Sequence, residues 1–174
     1  FVCCVGYLNS AYKVKDFHYG VTSKEYEAKQ CTNCGVFCLS PMMSTYQLMK
    51  LYPKTYYSYS KLKVPSDFRL YINKLLRVDV TDLYRYKTKS GKTVLDFGCG
   101  SGWELDIFKN QGYKTYGLEL DTNAAKIASK NGHKVSTHEI NVSNYKENFF
   151  DYIRSVHSFE HANNPNQVVE EFHR

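Results

Sequence analysis

Val94-Leu95-Asp96-Phe97-Gly98-Cys99-Gly100-Ser101-Gly102 is the stretch on which the reading of this chain turns. Lys92 to Phe97 is a β-rich apolar run that ends in glycines. Trp103 to Asn110 then carries Leu105, Ile107 and Phe108 and stops at Gly112, a good helix terminator. Glycines between a strand and a helix let the backbone approach a ligand closely, at the carboxyl edge where parallel sheets bind their cofactors. A dinucleotide fingerprint counted from Gly98 needs its third glycine at position 103, and that residue is Trp. The pattern is G-x-G-x-G, so close approach to a pyrophosphate is not supported. A phosphate loop is also excluded, because no G-K-[ST] ending follows.

Working outward, the same alternation continues. Lys114 to Leu118 reads as a strand, Thr122 to Lys130 as a helix closing at Asn131-Gly132, and Lys134 to Thr137 as a third strand. Phe149 to Val156 is expected as the fourth strand. A last helix opens at Asn164-Pro165, with Asn as N-cap, Pro in the first turn and Gln167 at the capping-box position. Strands and helices alternating at this spacing imply βαβ crossovers and a parallel sheet.

The residues before position 91 have a different grammar. Residues 1–90 hold 14 Lys+Arg against 6 Asp+Glu, whereas residues 91–174 hold 9 against 11, so the basic excess belongs to the first half. That half also carries 12 of the 16 Tyr. Basic and aromatic residues interleaved in this way suit a surface meeting nucleic acid or sugar-phosphate, and equally a solvated face over a small tyrosine-rich core. Five of the six Cys lie in the first 38 residues, a local cluster that reads more readily as metal ligands than as a disulfide framework.

Cys31-Thr32-Asn33-Cys34-Gly35 is the sharpest element there. Two thiolates at C-x-x-C spacing can grip one tetrahedral zinc from a tight turn, and Gly35 supplies the positive φ. Cys3 is the expected partner knuckle, adjacent to Cys4, with a further Cys expected just before Phe1; His18 and Cys38 are reserve ligands. Short segments at Ala11 to Val14 and Glu25 to Lys29, broken at Gly20, suit a small zinc-ribbon-like β region. Leu51-Tyr52-Pro53 and Tyr56-Tyr57-Ser58-Tyr59 read as a linker, and a lead-in helix is expected from Asp67. The expected division is therefore 1–42, a zinc-ribbon-like region; 43–90, linker and lead-in helix; and 91–174, the αβ part.

An acidic side chain is expected where the second strand ends, placed to accept hydrogen bonds from both hydroxyls of a ribose. Glu119 fills that place in Gly117-Leu118-Glu119-Leu120-Asp121. With Leu95 to Gly102, Gly117-Leu118-Glu119, and Phe150-Asp151-Tyr152-Ile153 followed by Phe159-Glu160-His161, the chain resembles the class I S-adenosylmethionine-dependent methyltransferases over Gly91 to Arg174. The resemblance implies an α/β fold with a Rossmann-like parallel sheet, of which about four strands are visible. It implies that Gly98, Cys99, Gly100 and Gly102 pass under the methionine and ribose portions of S-adenosylmethionine, with Asp96 orienting that loop and the amino group. Glu119 would hold the ribose hydroxyls, Leu120 would lie against adenine, and Asn141 would meet the adenine edge. His157, Glu160 and His161, beyond the fourth strand, are the candidate bases for the acceptor.

The front half, with its C-x-x-C-G knuckle and Tyr-rich segment, looks like that of methyltransferases of sugar and polysaccharide pathways. The leading expectation is therefore a small-molecule or sugar-linked acceptor. An RNA methyltransferase that grips phosphate with the basic half, and a non-catalytic interaction module, are the alternatives. The family's sheet has seven strands, so the chain is expected to be a piece trimmed at both ends, with weakened cofactor affinity and little turnover. At 174 residues with 43% hydrophobic content, the chain has the balance of a folding globular protein. No stretch approaches the roughly 20 apolar residues of a membrane span, and the residues from Phe1 onward lack a charged segment followed by an apolar run, so neither spanning nor signal-peptide secretion is expected and the expected location is cytoplasmic.

Overall fold

Thr93–Phe97 forms the strand on which the rest of the αβ part is built, because Val94, Leu95 and Asp96 are all buried and covering on both faces suits a parallel ladder. The computed structural model describes residues 7–16, 19–53, 91–140 and 145–174. The expected linker at Tyr56 to Tyr59, the lead-in helix from Asp67, and Cys3, Cys4, His18 and Asn141 lie outside the described residues. Two compact units emerge, Tyr57–Val156 and Phe1–Tyr56 with His157–Arg174, and each is taken by itself below.

In the first of these units, β4 (Thr93–Phe97), β5 (Lys114–Leu118), β6 (Lys134–Ser136) and β7 (Tyr152–Ser155) make one parallel sheet in the order β6-β5-β4-β7. The chain steps outward from β4 to β6 and then returns to the far side of β4 for β7. The strand order thus reverses beside β4, and the crevice at the carboxyl ends there is where such sheets take their ligands. The expected Rossmann-like parallel sheet is what the chain forms.

Register decides what each face carries. Val94 lies opposite Thr115 and Tyr152, while Asp96 lies opposite Gly117 and Arg154, so these residues share one face. Helices α2 (Trp103–Asn110) and α3 (Thr122–Lys130) supply its cover: Val94, Cys99, Leu105, Ile107, Phe108, Tyr113 and Ala128 form one buried cluster. Leu105 and Phe108 are fully enclosed, and burial of this kind stabilises by about 1.5–3 kcal/mol per side chain. On the other face Tyr116 meets Tyr145, Phe149 and Phe150 edge-on, with ring centroids 6.1, 5.2 and 5.4 Å away.

Helix ends are chemically marked. Asp121 caps α3 by accepting from the N–H groups of Asn123 and Ala124 at 2.9 and 2.8 Å. Gly112 and Gly132, at φ 87° and 90°, end α2 and α3 where the sequence places terminators. The fourth strand is shorter than expected. Phe149 and Phe150 stand outside the ladder in the aromatic cluster, and pairing starts only after the Asp151 carboxylate has accepted the Thr93 N–H at 2.8 Å.

The second unit holds an antiparallel sheet in the order β1-β2-β3, from Leu8–Val14, Tyr26–Cys31 and Phe37–Ser40. β1 extends the expected segment Ala11 to Val14, β2 overlaps Glu25 to Lys29 but begins at Tyr26 and runs on to Cys31, and β3 was not expected. Between β1 and β2 the Asp16 carboxylate gathers the N–H groups of Tyr19 and Val21 at 3.0 and 2.7 Å, with Gly20 at φ 60°. Helix α1 (Thr45–Met49) begins with a full capping box between Ser44 and Gln47. In α4 (Pro165–His173) the Asn164 side chain accepts from the Gln167 N–H at 3.2 Å, the expected cap. Among the described residues no helix is long and apolar enough to cross a membrane.

Candidate active site

The glycine loop is tied down from below by backbone hydrogen bonds to the end of β5. Gly98 and Cys99 both donate their N–H groups to the Leu118 carbonyl, at 2.8 and 3.0 Å, which fastens the turn after β4 to the end of β5. Gly98, Gly100 and Gly102 sit at φ 82°, 53° and 83°, a left-handed region that side-chain-bearing residues rarely adopt. Gly98 stays exposed, so bare backbone faces the crevice at that point.

Glu119 links the two halves of the site. One carboxylate oxygen accepts the Gly100 N–H at 2.9 Å and the other accepts the Asp121 N–H at 2.8 Å. Burial pushes its carboxyl up, and those two N–H groups push back. An ionised carboxylate has about four lone-pair positions. After two backbone bonds it can still accept from two vicinal hydroxyls, which is the chemistry a ribose needs. Leu120, half-buried, follows directly. Donor set and loop shape therefore fit the adenosyl and ribose portions of S-adenosylmethionine.

Not every loop residue serves the crevice. A methyl group on Gly102 would stand 2.9 Å from both Ala128 Cβ and His133 Cδ2, so this glycine is required by the packing of α2 on α3. The Cys99 thiol is buried and turned into the core, where a Cβ on Gly117 would come within 2.4 Å of it. Burial raises its pKa well above the ordinary thiol value, and Asp96 and Glu119 add to that, so it stays protonated and unreactive.

Three features were not visible in the sequence. Arg154 on β7 reaches Asp96 Oδ1 at 3.4 Å and grips both oxygens of Glu104 on α2, its Nη2 lying 2.7 Å from Oε1. His133 is fully buried between Thr115 Oγ1 at 2.8 Å and Asp106 Oδ1 at 3.0 Å. Its pKa is lowered by burial, which outweighs Asp106. The Ser155 hydroxyl, at the carboxyl end of β7, is buried with no hydrogen-bond partner among the described residues. Only strand register could have revealed the first of these: Asp96 and Arg154 are 58 positions apart and become neighbours because β4 and β7 pair.

The expected bases lie in the other unit. His157, at φ 53°, has its Nδ1 3.8 Å from Glu160 Oε1, and His161 Nε2 lies 4.0 Å from the same oxygen. Tyr52 meets the His161 ring edge-on at 5.9 Å. All three side chains are substantially exposed.

The turn that carries Cys31 and Cys34 has the positive φ expected at Gly35. Gly35, at φ 73°, closes the turn with its N–H on the Cys31 carbonyl at 2.9 Å; Cys31 is buried and Cys34 exposed. Among the described residues, however, no group of three or more His, Cys, Asp or Glu is placed to hold a metal ion, and Cys38 does not join Cys31 and Cys34 in one. Among the described residues the expected zinc therefore has no complete donor set, and Cys3, Cys4 and His18 lie outside them.

A sequence-family profile described as “Methyltransferase domain” matches residues 68–174. An uncharacterised protein of Methanocaldococcus jannaschii is 34% identical over 101 residues, which cover 58% of this chain and 38% of that protein. The chain thus spans well under half the length of this curated relative. Solved structures similar to it include a phosphoethanolamine N-methyltransferase of Haemonchus contortus in complex with phosphomonomethylethanolamine and S-adenosylhomocysteine. It is 22% identical with a TM-score of 0.48, over 57% of this chain and 24% of that one. The plantazolicin methyltransferase BpumL, solved with S-adenosylhomocysteine, is 19% identical with a TM-score of 0.44, over 61% and 48%.

Proposed function

Because this chain belongs to the methyltransferase-domain family, we propose that its crevice between the glycine loop and Glu119 holds S-adenosylmethionine, for methyl transfer to a small-molecule or sugar-linked acceptor. The observation that carries this reading is the Glu119 carboxylate, which binds the loop through the Gly100 N–H while keeping acceptor positions for ribose hydroxyls. When bound, S-adenosylmethionine supplies a methyl group already activated on a sulfonium. What remains for the protein is alignment and exclusion of water, and positioning of this kind can lower a barrier by roughly 7–11 kcal/mol.

The residues divide that work. Gly98 offers bare backbone to the ligand, Glu119 holds the sugar, Leu120 covers the base, and Asp96 faces the amino-acid end. His161 or His157 takes the proton of an acceptor hydroxyl or amine, with Glu160 orienting the ring; such a base contributes about 10²–10⁴-fold. Substituting Glu160→Ala together with His161→Ala should lower turnover by that order while leaving S-adenosylhomocysteine affinity intact. Unchanged turnover removes them from the chemistry.

A small acceptor is supported over RNA by the five lysines described within residues 7–53. Lys13 and Lys15 converge on Glu25, at 3.5 and 2.7 Å, and Lys29 pairs with Glu27 at 3.5 Å. Lys24 and Lys50 lie over the rings of Tyr26 and Tyr46. Each of these described cations thus has an acidic or aromatic neighbour, which competes with phosphate for it. Affinity for RNA that falls steeply with salt would overturn this preference. Calorimetric titration with S-adenosylmethionine tests the cofactor assignment itself, since a pure interaction module need not bind it.

A further inference from the structure

Three carboxylates crowd the root of the glycine loop, and one cation stands among them. Asp96 is the penultimate residue of β4, Glu104 lies in the first turn of α2, and Glu119 follows β5; Arg154 comes in from β7. The Arg154 guanidinium is 10% exposed, the Asp96 carboxylate 3% and the Glu104 carboxylate 17%. Glu104 holds the guanidinium with two bonds, whereas Asp96 receives a single longer contact of 3.4 Å. The buried group Asp96–Arg154–Glu104 therefore carries one negative charge too many when all its members are ionised. Excess charge in an enclosed site is costly and is relieved either by a proton or by a counter-ion.

We propose that Arg154, fixed by Glu104, is a positioning residue that keeps Asp96 available as the anionic partner for the α-ammonium group of the bound donor. This rests on the reading that the crevice takes S-adenosylmethionine. In its absence Asp96 relieves the excess by protonation: its pKa is raised to about 7, first by burial and then by Glu104 and Glu119, with Arg154 opposing. The Cys99 thiol, also beside it, is held neutral by its own burial. A ligand ammonium does the proton's work, so binding must release a proton when the pH lies below that value. Arg154 sets where the release begins. Without it Asp96 would stay protonated well above neutrality; without Glu104 it would ionise more readily.

The test is calorimetric titration of the whole chain with S-adenosylhomocysteine, which keeps the α-ammonium, from about pH 5.5 to 8.5 in buffers of differing ionisation heat. Wild-type affinity should fall roughly tenfold per pH unit below neutrality, with proton release. Arg154→Gln should move that fall upward by about a unit and weaken binding at pH 7 roughly tenfold, the gap narrowing at high pH. Glu104→Gln should move it downward, and Arg154→Lys should restore most of the wild-type profile. A loss in Arg154→Gln that is the same at every pH would mean a merely structural role and overturn the proposal. If that variant does not fold, an unshifted Glu104→Gln profile overturns it. Wild-type protein that binds no S-adenosylhomocysteine at any pH would instead overturn the reading of the crevice, and it involves no variant.

Discussion

Gly117→Ala isolates one contact on which the shape of the glycine loop depends. Gly117 lies on β5 opposite Asp96, and a Cβ added there would stand 2.4 Å from Cys99 Sγ, 3.1 Å from Cys99 Cβ and 3.2 Å from Leu105 Cδ1. Non-bonded carbon contacts are optimal at about 3.5–4.0 Å, so the thiol must retreat by roughly 1 Å or more. The loop cannot easily follow, because Gly98 and Cys99 are both fastened to the Leu118 carbonyl. Overpacking of this kind costs about 1–3 kcal/mol. At about 4–8 °C per kcal/mol for a domain of this size, the melting temperature should drop by on the order of 5–20 °C. Cys99→Ala removes the sulfur, so in the double variant Cys99→Ala with Gly117→Ala the two changes should compensate, with a coupling of about 1–2 kcal/mol in urea unfolding. Strictly additive effects, or a Gly117→Ala variant as stable as wild type, would refute the placement of the thiol in the core. So would a large loss of S-adenosylhomocysteine affinity in Cys99→Ala alone.

Three further outcomes follow from the buried titratable groups. The folded-state pKa of Asp96, about 7, lies above its unfolded value of 3.8, so between those pH values the folded chain holds a proton that the unfolded chain releases, and stability falls as pH rises through that window. Asp96→Asn removes that contribution, leaving the smaller one of Glu119, whose carboxyl is also raised by burial; by urea unfolding the variant should gain on wild type by on the order of 1 kcal/mol or more at pH 8 while losing affinity for S-adenosylhomocysteine. His133 works in the opposite sense: its folded pKa lies below the unfolded 6.5, so the unfolded chain takes up the extra proton and stability is lost as pH falls below about 6.5. A stability difference between wild type and His133→Gln that did not change between pH 7 and 5 would contradict this. Thr115→Val should cost about 1–3 kcal/mol, because it strips the His133 Nδ1 of its 2.8 Å partner.

What the sequence made legible was whatever local chemistry dictates. Trp103–Asn110, Lys114–Leu118 and Thr122–Lys130 have the limits expected of them, because Gly112 and Asn131-Gly132 stop those helices by their own backbone preferences. The fourth strand was overdrawn, since Phe149 and Phe150 have strand-like composition but are claimed by the rings of Tyr116 and Tyr145. The four-residue strand Phe37–Ser40 is too short to announce itself and exists through pairing with β2. In the candidate site, the positions of the loop after β4 and of Glu119 after β5 could be read because their spacing is local to consecutive strands. Arg154 with Glu104, and Thr115 with His133 and Asp106, could not, because packing alone brings residues so far apart into contact. Gly102 was legible as a glycine but not for its reason, which is the close approach of Ala128 and His133.

The central claim is that Glu119 holds the loop and a ribose with one carboxylate, and titration of S-adenosylhomocysteine into wild type and Glu119→Gln addresses it most directly. An amide offers one acceptor oxygen where the carboxylate offers two, and hydrogen bonds to a charged group contribute about 1.5–3 kcal/mol, so the variant should bind roughly 10- to 100-fold more weakly while remaining folded. Equal affinity in the two proteins would contradict the account.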